Sequence, residues 1–302
     1  MRLFWPLLIF VFIFLAALIG RQLYVPTELP QNESPAQRII SLAPSITETI
    51  FALGLGSNVV AVTQNCDYPA EANNRPKIDG FPEPNLESIL QLQPNLVILL
   101  QGNNKLESQL HKLNIKTLSV SNRTLDDIQQ AIVSIGKQTG RQATAERLLA
   151  KIQQDIDFIQ QKTMALEKPR VLVSIGHSRD SKTIDSVYIA GQNDFYNDLI
   201  NIAGGINVYQ QTHLQVPTFS TESILQTNPE IIIDIFPEDD DHQFDLQQIQ
   251  QQWHQLEHIS AVQHKQVHII EADYATIPGP RITLLLRKMA QIIHPEINWN
   301  TP

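Results

Sequence analysis

Short strand-like runs alternate with helical segments along residues 38–123. The runs lie at 38–42, 58–62, 96–100 and 116–120. The run at 96–100 is apolar at every position, which is typical of a strand buried on both faces of a parallel sheet. Strands that alternate with helices in this way predict an α/β lobe with a mainly parallel sheet.

Local signals place the helices between these strands. Ser45 and Glu48 have the spacing of a capping box, so we expect a helix that begins at Ser45 and ends at Gly54. Two further helices are predicted at 86–93 and 106–113, where apolar residues recur at helical spacing.

Residues 124–168 carry a different pattern, in which a helix is predicted at 125–135 and is interrupted by Gly136 and Gly140. Apolar side chains recur at helical spacing from 143 to 167, and about 25 residues make a helix of ~37 Å, long enough to cross the back of two lobes. The strand–helix plan then returns over residues 169–296. The pattern predicts two Rossmann-like α/β lobes, at 38–123 and 169–296, joined by one long backbone helix, with a ligand cleft between the lobes. Because a packed helix bends reluctantly, we expect the hinge motion to be small.

A repeated motif supports the prediction of two similar lobes. Residues 86–100 read LESILQLQPNLVILL, and residues 221–235 read TESILQTNPEIIIDI. Glu87 recurs as Glu222, and the other shared residues keep the same offset (222 − 87 = 135). A period this long indicates a duplicated domain rather than a solenoid repeat. Two similar lobes imply a cleft, and clefts are where small molecules bind.

Composition narrows the class of protein. The 302 residues suit about two domains of ordinary size. An apolar content of 42% and a charged content of 18% are those of a globular protein. A net charge of −9, with no basic run of four residues, argues against a nucleic-acid partner. Cys66 is the only cysteine, so no internal disulfide can form, and we expect it to be a small buried thiol.

The first 20 residues have the pattern of an export signal. Residues 3–19 are apolar throughout and lie between Arg2 and Arg21. The run lacks a small-residue cleavage pattern and is just short of the ~20 residues that span a bilayer comfortably. It is therefore either a cleaved signal peptide or a retained inner-membrane anchor, followed by a polar tether at 21–37. No cysteine follows the run, so a lipid-modified cysteine is not expected, and the folded part is predicted to lie in the periplasm.

Several motifs within residues 37–294 occur together in one known family. They are RIISLAPSITETIFALGLG at 38–56, DYP at 67–69, the repeated motif, GGINV at 204–208 and GPR at 279–281. In order and spacing they resemble the solute-binding proteins of bacterial ABC importers that have a helical backbone. Members of that family carry vitamin B12, ferric siderophores or haem, and the corrinoid binders look nearest.

The resemblance implies a binding protein with no catalytic residues, no metal site and no cofactor of its own. Its ligand would be a corrinoid such as cobalamin, or alternatively a ferric siderophore or haem. Its partners would be an ABC permease dimer and the ATPase subunits, and the protein itself would be a monomer. In the family, one glutamate at the tip of each lobe docks to permease arginines, which gives that role to Glu87 and Glu222. The alternative for both is an ordinary first-turn glutamate, favoured by the helix dipole.

The ligand-contact residues of the family are only partly retained in this chain. Members that bind B12 have aromatic rings in the cleft at positions that correspond here to Asn65, Phe81, Val216 and Tyr274. Only Phe81 and Tyr274 keep a ring, although a flat macrocycle needs ring faces and apolar walls. Tyr68 and Phe219 either supply the missing rings or belong to the core.

Two polar residues have roles that the sequence leaves open. Arg281, at the start of the last predicted helix, either binds a ligand carboxylate or anchors its loop. His177 follows a predicted strand whose carboxyl end should face the cleft. It is therefore either an axial ligand for haem or a polar residue of the cleft wall.

Other features argue against a metal site or an active site. His254/His258 and His264/His268 have spacings that can bind zinc, but surface histidines are the simpler expectation. The acidic run at 238–242 is expected to be a solvated loop. No G-x-S-x-G, P-loop, G-x-G-x-x-G or C-x-x-C motif occurs. A hydrolase or lyase acting in the cleft, or a membrane-anchored sensor, stays the alternative on the same fold.

Overall fold

The computed structural model of the protein describes residues 37–80, 83–177, 183–211, 214–238 and 245–299. The predicted signal or anchor, nearly all of the tether, Phe81 and most of the acidic run lie outside these residues. Within them, no helix is both long enough and apolar enough to cross a membrane.

The N-terminal lobe is built on a five-stranded sheet whose paired strands all run parallel. The strands are β1 (Ile39–Ser41), β2 (Val59–Thr63), β3 (Lys77–Ile78), β4 (Leu96–Leu100) and β5 (Lys116–Val120), in the order β3-β2-β1-β4-β5. The helices α1 (Pro44–Ala52), α2 (Leu86–Gln91) and α3 (Asn104–Lys112) connect them. The parallel sheet predicted for this lobe is confirmed.

The start of α1 differs from the prediction. The helix begins at Pro44, Ala43 precedes it, and no side chain caps it. Proline suits the first helical position because its φ is fixed and its missing N–H has no partner there anyway. The hydroxyl of Ser45 instead accepts a hydrogen bond from Asn122 Nδ2 at 3.1 Å. The capping box predicted for Ser45 and Glu48 is therefore wrong, which leaves Glu48 free for another role.

Two helices follow the first sheet, at the places where the sequence pattern predicts helical stretches. They are α4 (Leu125–Gln138) and α5 (Gln142–Thr163), and at 22 residues α5 is about 33 Å long. They pack closely at Gly136, where a Cβ would lie 2.6 Å from that of Ala145. The long helix predicted from the apolar periodicity is present, and α4 packs against both the first sheet and the C-terminal lobe.

The C-terminal lobe has a mixed sheet. Its strands are β6 (Arg170–His177), β7 (Ser186–Ile189), β8 (Ile206–Asn207), β9 (Thr218–Ser220), β10 (Ile231–Phe236) and β11 (Val267–Glu271). Its helices are α6 (Phe195–Ile202), α7 (Thr221–Thr227), α8 (Leu246–His254), α9 (Ser260–Gln263), α10 (Asp273–Thr276) and α11 (Ile282–Ile293). The order is β11-β10-β6-β7-β9, with β8 also paired to β6. The strand β7 is antiparallel to both neighbours, and the sequence patterns did not predict it.

Strand pairing shows that the two lobes share one plan. In the first lobe Ile39 of β1 lies opposite Leu96 of β4. In the second lobe Val171 of β6 lies opposite Ile231 of β10. Leu96 and Ile231 differ by the offset of the repeat (96 + 135 = 231). Ile39 and Val171 differ by 132 (39 + 132 = 171), the offset between the similar segments RIIS at 38–41 and RVLVS at 170–174. The prediction of two α/β lobes is therefore confirmed, and the central strands of the two lobes pair in equivalent registers.

The largest hydrophobic core extends through both lobes. It contains buried residues of β1 and β4, of α4 and α5, and of β6, β10 and α11. Each lobe has a smaller core on the other face of its sheet. The lobes are thus joined by shared apolar packing as well as by the chain, which favours small relative movement.

Candidate functional site

The N-terminal wall of the candidate cleft is formed where the parallel strands end. A cavity of about 160 Å³ lies there, and its lining includes Leu42, Pro44, Thr63, Asn65, Leu100 and Asn103. Ligands of open α/β sheets bind outside the carboxyl ends of the strands. Asn65 is exposed and lines this cavity.

The candidate for the C-terminal wall is an antiparallel ribbon made by β7 and the segment that leads into β9, because β7 pairs with the carboxyl end of β6. Val187 and Ile189 are buried, whereas Tyr188 is 54% exposed and Val216 is 44% exposed. A Cβ at Gly176 would lie 3.9 Å from Tyr188 Cδ2, so the ring stands beside the carboxyl end of β6. No sequence motif singles out Tyr188, although the alternation of Ser186–Ile189 marks its side chain as outward-facing.

Arg281 joins the two lobes. Its Nε donates to Glu48 Oε2 at 2.9 Å in the N-terminal lobe, and its Nη2 donates to Asp273 Oδ2 at 2.6 Å in its own lobe. The guanidinium also lies 3.8 Å from the centre of the Tyr68 ring. This geometry favours the anchoring role for Arg281 over a contact with a ligand carboxylate.

Glu48 is an unpredicted member of this cluster. Its carboxylate is buried, and burial raises its pKa although the hydrogen bond and the charge of Arg281 oppose the shift. The GPR loop passes close to α1, since a Cβ at Gly279 would lie 3.4 Å from Ser45 Cα and 3.5 Å from Glu48 Oε2. A second cavity, of about 540 Å³, lies beside the cluster and is lined in part by Phe51, Tyr68 and Arg75.

His177 lies inside the C-terminal lobe rather than on the cleft wall. Its side chain is 1% exposed, and its Nε2 is 2.9 Å from Asp234 Oδ2. The same oxygen accepts a hydrogen bond from Trp253 Nε1 at 2.7 Å, and the Phe236 and Trp253 rings make T-shaped contacts with the imidazole. In this arrangement His177 supports the lobe, and neither of its two sequence interpretations describes its contacts.

The remaining predicted ring positions divide between surface and core. Tyr68 is 46% exposed and stacks on Arg281. Tyr274 is half-buried and packs against the core shared by the lobes. Phe219 is buried in the smaller core of the C-terminal lobe. Phe81 lies outside the described residues.

The histidine pairs do not assemble into a metal site. His254, His258 and His264 are exposed, and His268 Nε2 pairs with Gln266 Oε1 at 3.0 Å. Among the described residues, no cluster of three or more ligating side chains could hold a metal ion.

A hydrogen-bonded contact between the lobes lies at the start of α4. The N–H of Leu125 donates to Asp198 Oδ2 at 2.8 Å, and the N–H of Phe195 donates to Arg123 O at 2.7 Å. Asp194 caps α6 by accepting from the N–H of Tyr196 at 2.9 Å. Burial raises the pKa of Asp194 to about 6, because the charged form loses hydration there.

The repeated motif forms two helices of matching construction, α2 and α7, here called the paired helices. Asn85 Oδ1 accepts from the N–H of Ser88 at 3.1 Å, and Ser220 Oγ accepts from the N–H of Ser223 at 3.3 Å. The capping residues again differ by the offset of the repeat (85 + 135 = 220).

Glu87 and Glu222 are the second residues of the paired helices, and both are exposed. Two residues later, Ile89 and Ile224 are fully buried, which fixes each helix on its sheet. Each helix precedes a parallel strand after a short turn, so its first residues lie toward the carboxyl edge of its own sheet. Both carboxylates thus occupy equivalent places on their lobes, each toward the edge that borders the cleft.

Comparisons with known proteins agree with this architecture. The family model described as Periplasmic binding protein matches residues 39–274. The chain is 27% identical over 268 residues to an uncharacterized ABC transporter substrate-binding lipoprotein of Bacillus subtilis, covering 86% of this chain and 81% of that protein. It is 26% identical over 264 residues to the vitamin B12-binding protein of Vibrio parahaemolyticus, covering 86% and 91%.

Solved structures share the fold. The periplasmic vitamin B12-binding protein of Vibrio cholerae superposes with a TM-score of 0.72 at 24% identity, covering 86% of this chain and 98% of that one. A possible iron-binding protein of Staphylococcus epidermidis superposes with a TM-score of 0.71 at 25% identity, covering 85% and 98%. These relatives are binding proteins rather than enzymes. The chain therefore belongs to the periplasmic binding protein family.

Proposed function

We propose that the protein is the extracytoplasmic solute-binding subunit of an ABC importer, which captures a metal chelate and delivers it to the permease. The observation that carries this proposal is the pair of equivalent exposed glutamates, Glu87 and Glu222, on helices of matching construction. A permease dimer presents the same surface twice, so a partner that touches both copies needs two matching contacts. Arginines are suited to such contacts, because they pair with carboxylates in a bidentate manner.

The ligand that we favour is a corrinoid such as cobalamin. Two exposed tyrosines support a flat ligand, Tyr68 beside Arg281 and Tyr188 on the C-terminal ribbon. Asn65 and Val216 add an amide and an apolar surface to the two walls. Similarity to vitamin B12-binding proteins points the same way. Haem or a ferric siderophore is the alternative, since proteins of the same fold are described as haem-binding and iron-binding.

A titration of the purified full-length protein tests the ligand. Cyanocobalamin, haem and a ferric siderophore are added separately, and quenching of tryptophan fluorescence is followed. Trp253 and Trp299 are both buried, so they report energy transfer to a coloured ligand rather than direct contact. Saturable quenching by cyanocobalamin at an equimolar end point supports the proposal. Saturation by haem or the siderophore alone would identify that compound, rather than a corrinoid, as the ligand. If none of the three compounds gave saturable quenching, a chelate-binding role would be contradicted.

We also propose that the folded part lies in the periplasm, either released or tethered by residues 3–19. The apolar run without a cleavage pattern supports the tether. N-terminal sequencing of the membrane fraction tests this. An intact N-terminus is expected for a tethered protein, whereas a uniform start near Arg21 would remove the anchor.

A further inference from the structure

Each of the paired helices is held at its C-terminal end by an arginine at the start of the first strand of its own lobe, since Arg38 immediately precedes β1 and Arg170 begins β6. Arg38 Nη2 donates to Leu92 O at 2.7 Å, and its Nε donates to Gln93 O at 3.2 Å. In the other lobe Arg170 Nη1 donates to Thr227 O at 3.1 Å. Each arginine with its partners is here called an arginine clasp.

The backbone of the same two arginines completes each clasp. The N–H of Arg38 donates to Asn95 Oδ1 at 2.9 Å, and the N–H of Arg170 donates to Glu230 Oε2 at 3.0 Å. The partners correspond through the offset of the repeat (92 + 135 = 227 and 95 + 135 = 230). The two clasps therefore tie equivalent points of the turn, although the partner residues at these points differ between the lobes.

The paired helices depend on such support. They have 6 and 7 residues, whereas isolated helices shorter than about 12–15 residues are marginal in water. The last carbonyls of a helix lack partners within it, and a cation is favoured at that end. The turn that follows also passes through a left-handed residue in each lobe, with a φ of 46° at Gln93 and 42° at Asn228. Each guanidinium ties this turn to the first strand of the sheet.

We propose that Arg38 and Arg170 are positioning residues, which fix the direction of the paired helices and hence the separation of Glu87 and Glu222. The inference rests on the docking role proposed above and deepens it. Each guanidinium donates from two nitrogens held in one plane, a geometry that the single ammonium of lysine lacks. Lysine is therefore expected to preserve the charge but not the position.

The first test measures the distance between the paired helices directly. Spin labels are placed at Gln91→Cys and Gln226→Cys, two equivalent exposed positions, in full-length protein that carries Cys66→Ser. Labelled protein that keeps both arginines should give one narrow distribution of distances between the labels. Arg38→Ala, Arg170→Ala, Arg38→Lys and Arg170→Lys should each broaden this distribution. Arg287→Ala is the control, because Arg287 forms a partly exposed ion pair with Asp155 elsewhere, and it should leave the distribution unchanged. Unchanged distributions in both alanine variants would overturn the inference.

The second test measures affinity for the reconstituted permease–ATPase complex, with cyanocobalamin binding measured alongside. Each clasp variant should weaken docking roughly three- to tenfold, and cyanocobalamin affinity should stay as in the wild type. Ile132→Val, a core variant in α4, lowers stability away from the paired helices and should dock normally. Equal docking losses in this variant would mean that the arginines act through stability alone, which would overturn the positioning role.

Docking of the glutamate variant, compared with docking of the clasp variants, separates the two proposals. If Glu87→Ala/Glu222→Ala docks as the wild type does, the docking proposal fails and the clasp inference falls with it. If that variant loses docking and the clasp variants keep it, the clasp inference alone is overturned.

Discussion

The two lobes are most alike at the paired helices and least alike at the walls of the cleft. Both helices have a side-chain cap, an exposed glutamate, a buried isoleucine and a left-handed turn at the same offset. The walls differ, since the first is formed by the ends of parallel strands and the second by an antiparallel ribbon.

This difference fits the two kinds of partner that we propose. A permease dimer with two-fold symmetry presents the same contact twice, so the surfaces that meet it have to match. A single ligand lying between the lobes presents different sides to them, so the walls are free to differ. Four changes test whether matching and differing parts have these separate roles.

The largest effect is expected where the lobes are joined. Arg281→Ala leaves the carboxylates of Glu48 and Asp273 without their cation, and breaking a buried pair in this way costs about 3–5 kcal/mol. Urea unfolding should show this loss. Arg287→Ala removes a partly exposed pair with Asp155, whose N–O distance is 3.5 Å, and should cost only about 1 kcal/mol. If the two variants were equally stable, Arg281 would not hold the lobes together.

Reversing both charges of the paired helices should abolish coupling without affecting capture. Under the proposed docking, Glu87→Lys/Glu222→Lys would place like charges opposite permease arginines, and losing such charge pairs costs about 2–5 kcal/mol where they are desolvated. Uptake in whole cells and affinity for cyanocobalamin are the measurements. Glu146→Lys/Glu167→Lys makes the same charge change at exposed positions elsewhere and should transport normally. Normal uptake with the first variant would contradict the docking role.

The pH dependence of stability should expose a difference between the lobes. Asp194 caps α6 of the C-terminal lobe, whereas α1 of the other lobe begins with a proline and has no side-chain cap. The pKa of Asp194 is raised from 3.8 to about 6. The contribution of the Asp194 carboxyl to the free energy of unfolding is therefore present in full below pH 3.8 and is lost as the pH rises through about 6. The loss amounts to about 3 kcal/mol, at 1.36 kcal/mol for each pKa unit.

Asp194→Asn keeps an acceptor for the cap but removes this titration. The difference in unfolding free energy between variant and wild type, measured in urea from pH 4 to 7.5, should grow in favour of the variant as the pH rises. Asp157→Asn removes an exposed carboxylate and serves as the control. Parallel pH profiles for wild type and Asp194→Asn would refute the assignment.

The smallest effect is expected from the unmatched ring of the C-terminal wall. Tyr188→Ala should weaken cyanocobalamin binding roughly tenfold, because a stacked ring contributes ~0.5–1.5 kcal/mol beyond its burial. Tyr188→Phe should bind nearly as the wild type, since the ring is kept. Leu113→Ala removes an equally exposed apolar side chain elsewhere and should have no effect. Wild-type affinity in Tyr188→Ala would remove this ring from the site.

The sequence predicted the paired helices well because their determinants are local. In each helix the capping residue, the exposed glutamate and the buried isoleucine lie within a few residues of one another. A sequence repeat at constant offset therefore predicts both helices. The parallel strands of both lobes were predictable for the same reason, since continuous apolar runs such as 96–100 mark them directly.

The missed features depend on distant partners or on competing local signals. The ion pair between Glu48 and Arg281 joins residues 233 positions apart, which no periodicity reveals. The strand β7 has only four residues, and its antiparallel pairing departs from the plan of the first lobe. The helix start at Ser45 was predicted wrongly because Pro44 supplies the first turn without a cap. The position of His177 depends on Asp234, a partner on another strand.

The central claim is that two equivalent glutamates meet two equivalent permease sites. Cross-linking tests it most directly, with Glu87→Cys and Glu222→Cys introduced singly into full-length protein that carries Cys66→Ser. Each is reacted with the permease–ATPase complex, and the joined peptides are identified by mass spectrometry. The account predicts that both positions cross-link to the same segment of the permease, one in each subunit of the dimer. Cross-links from only one position, or from the two positions to different permease segments, would contradict it.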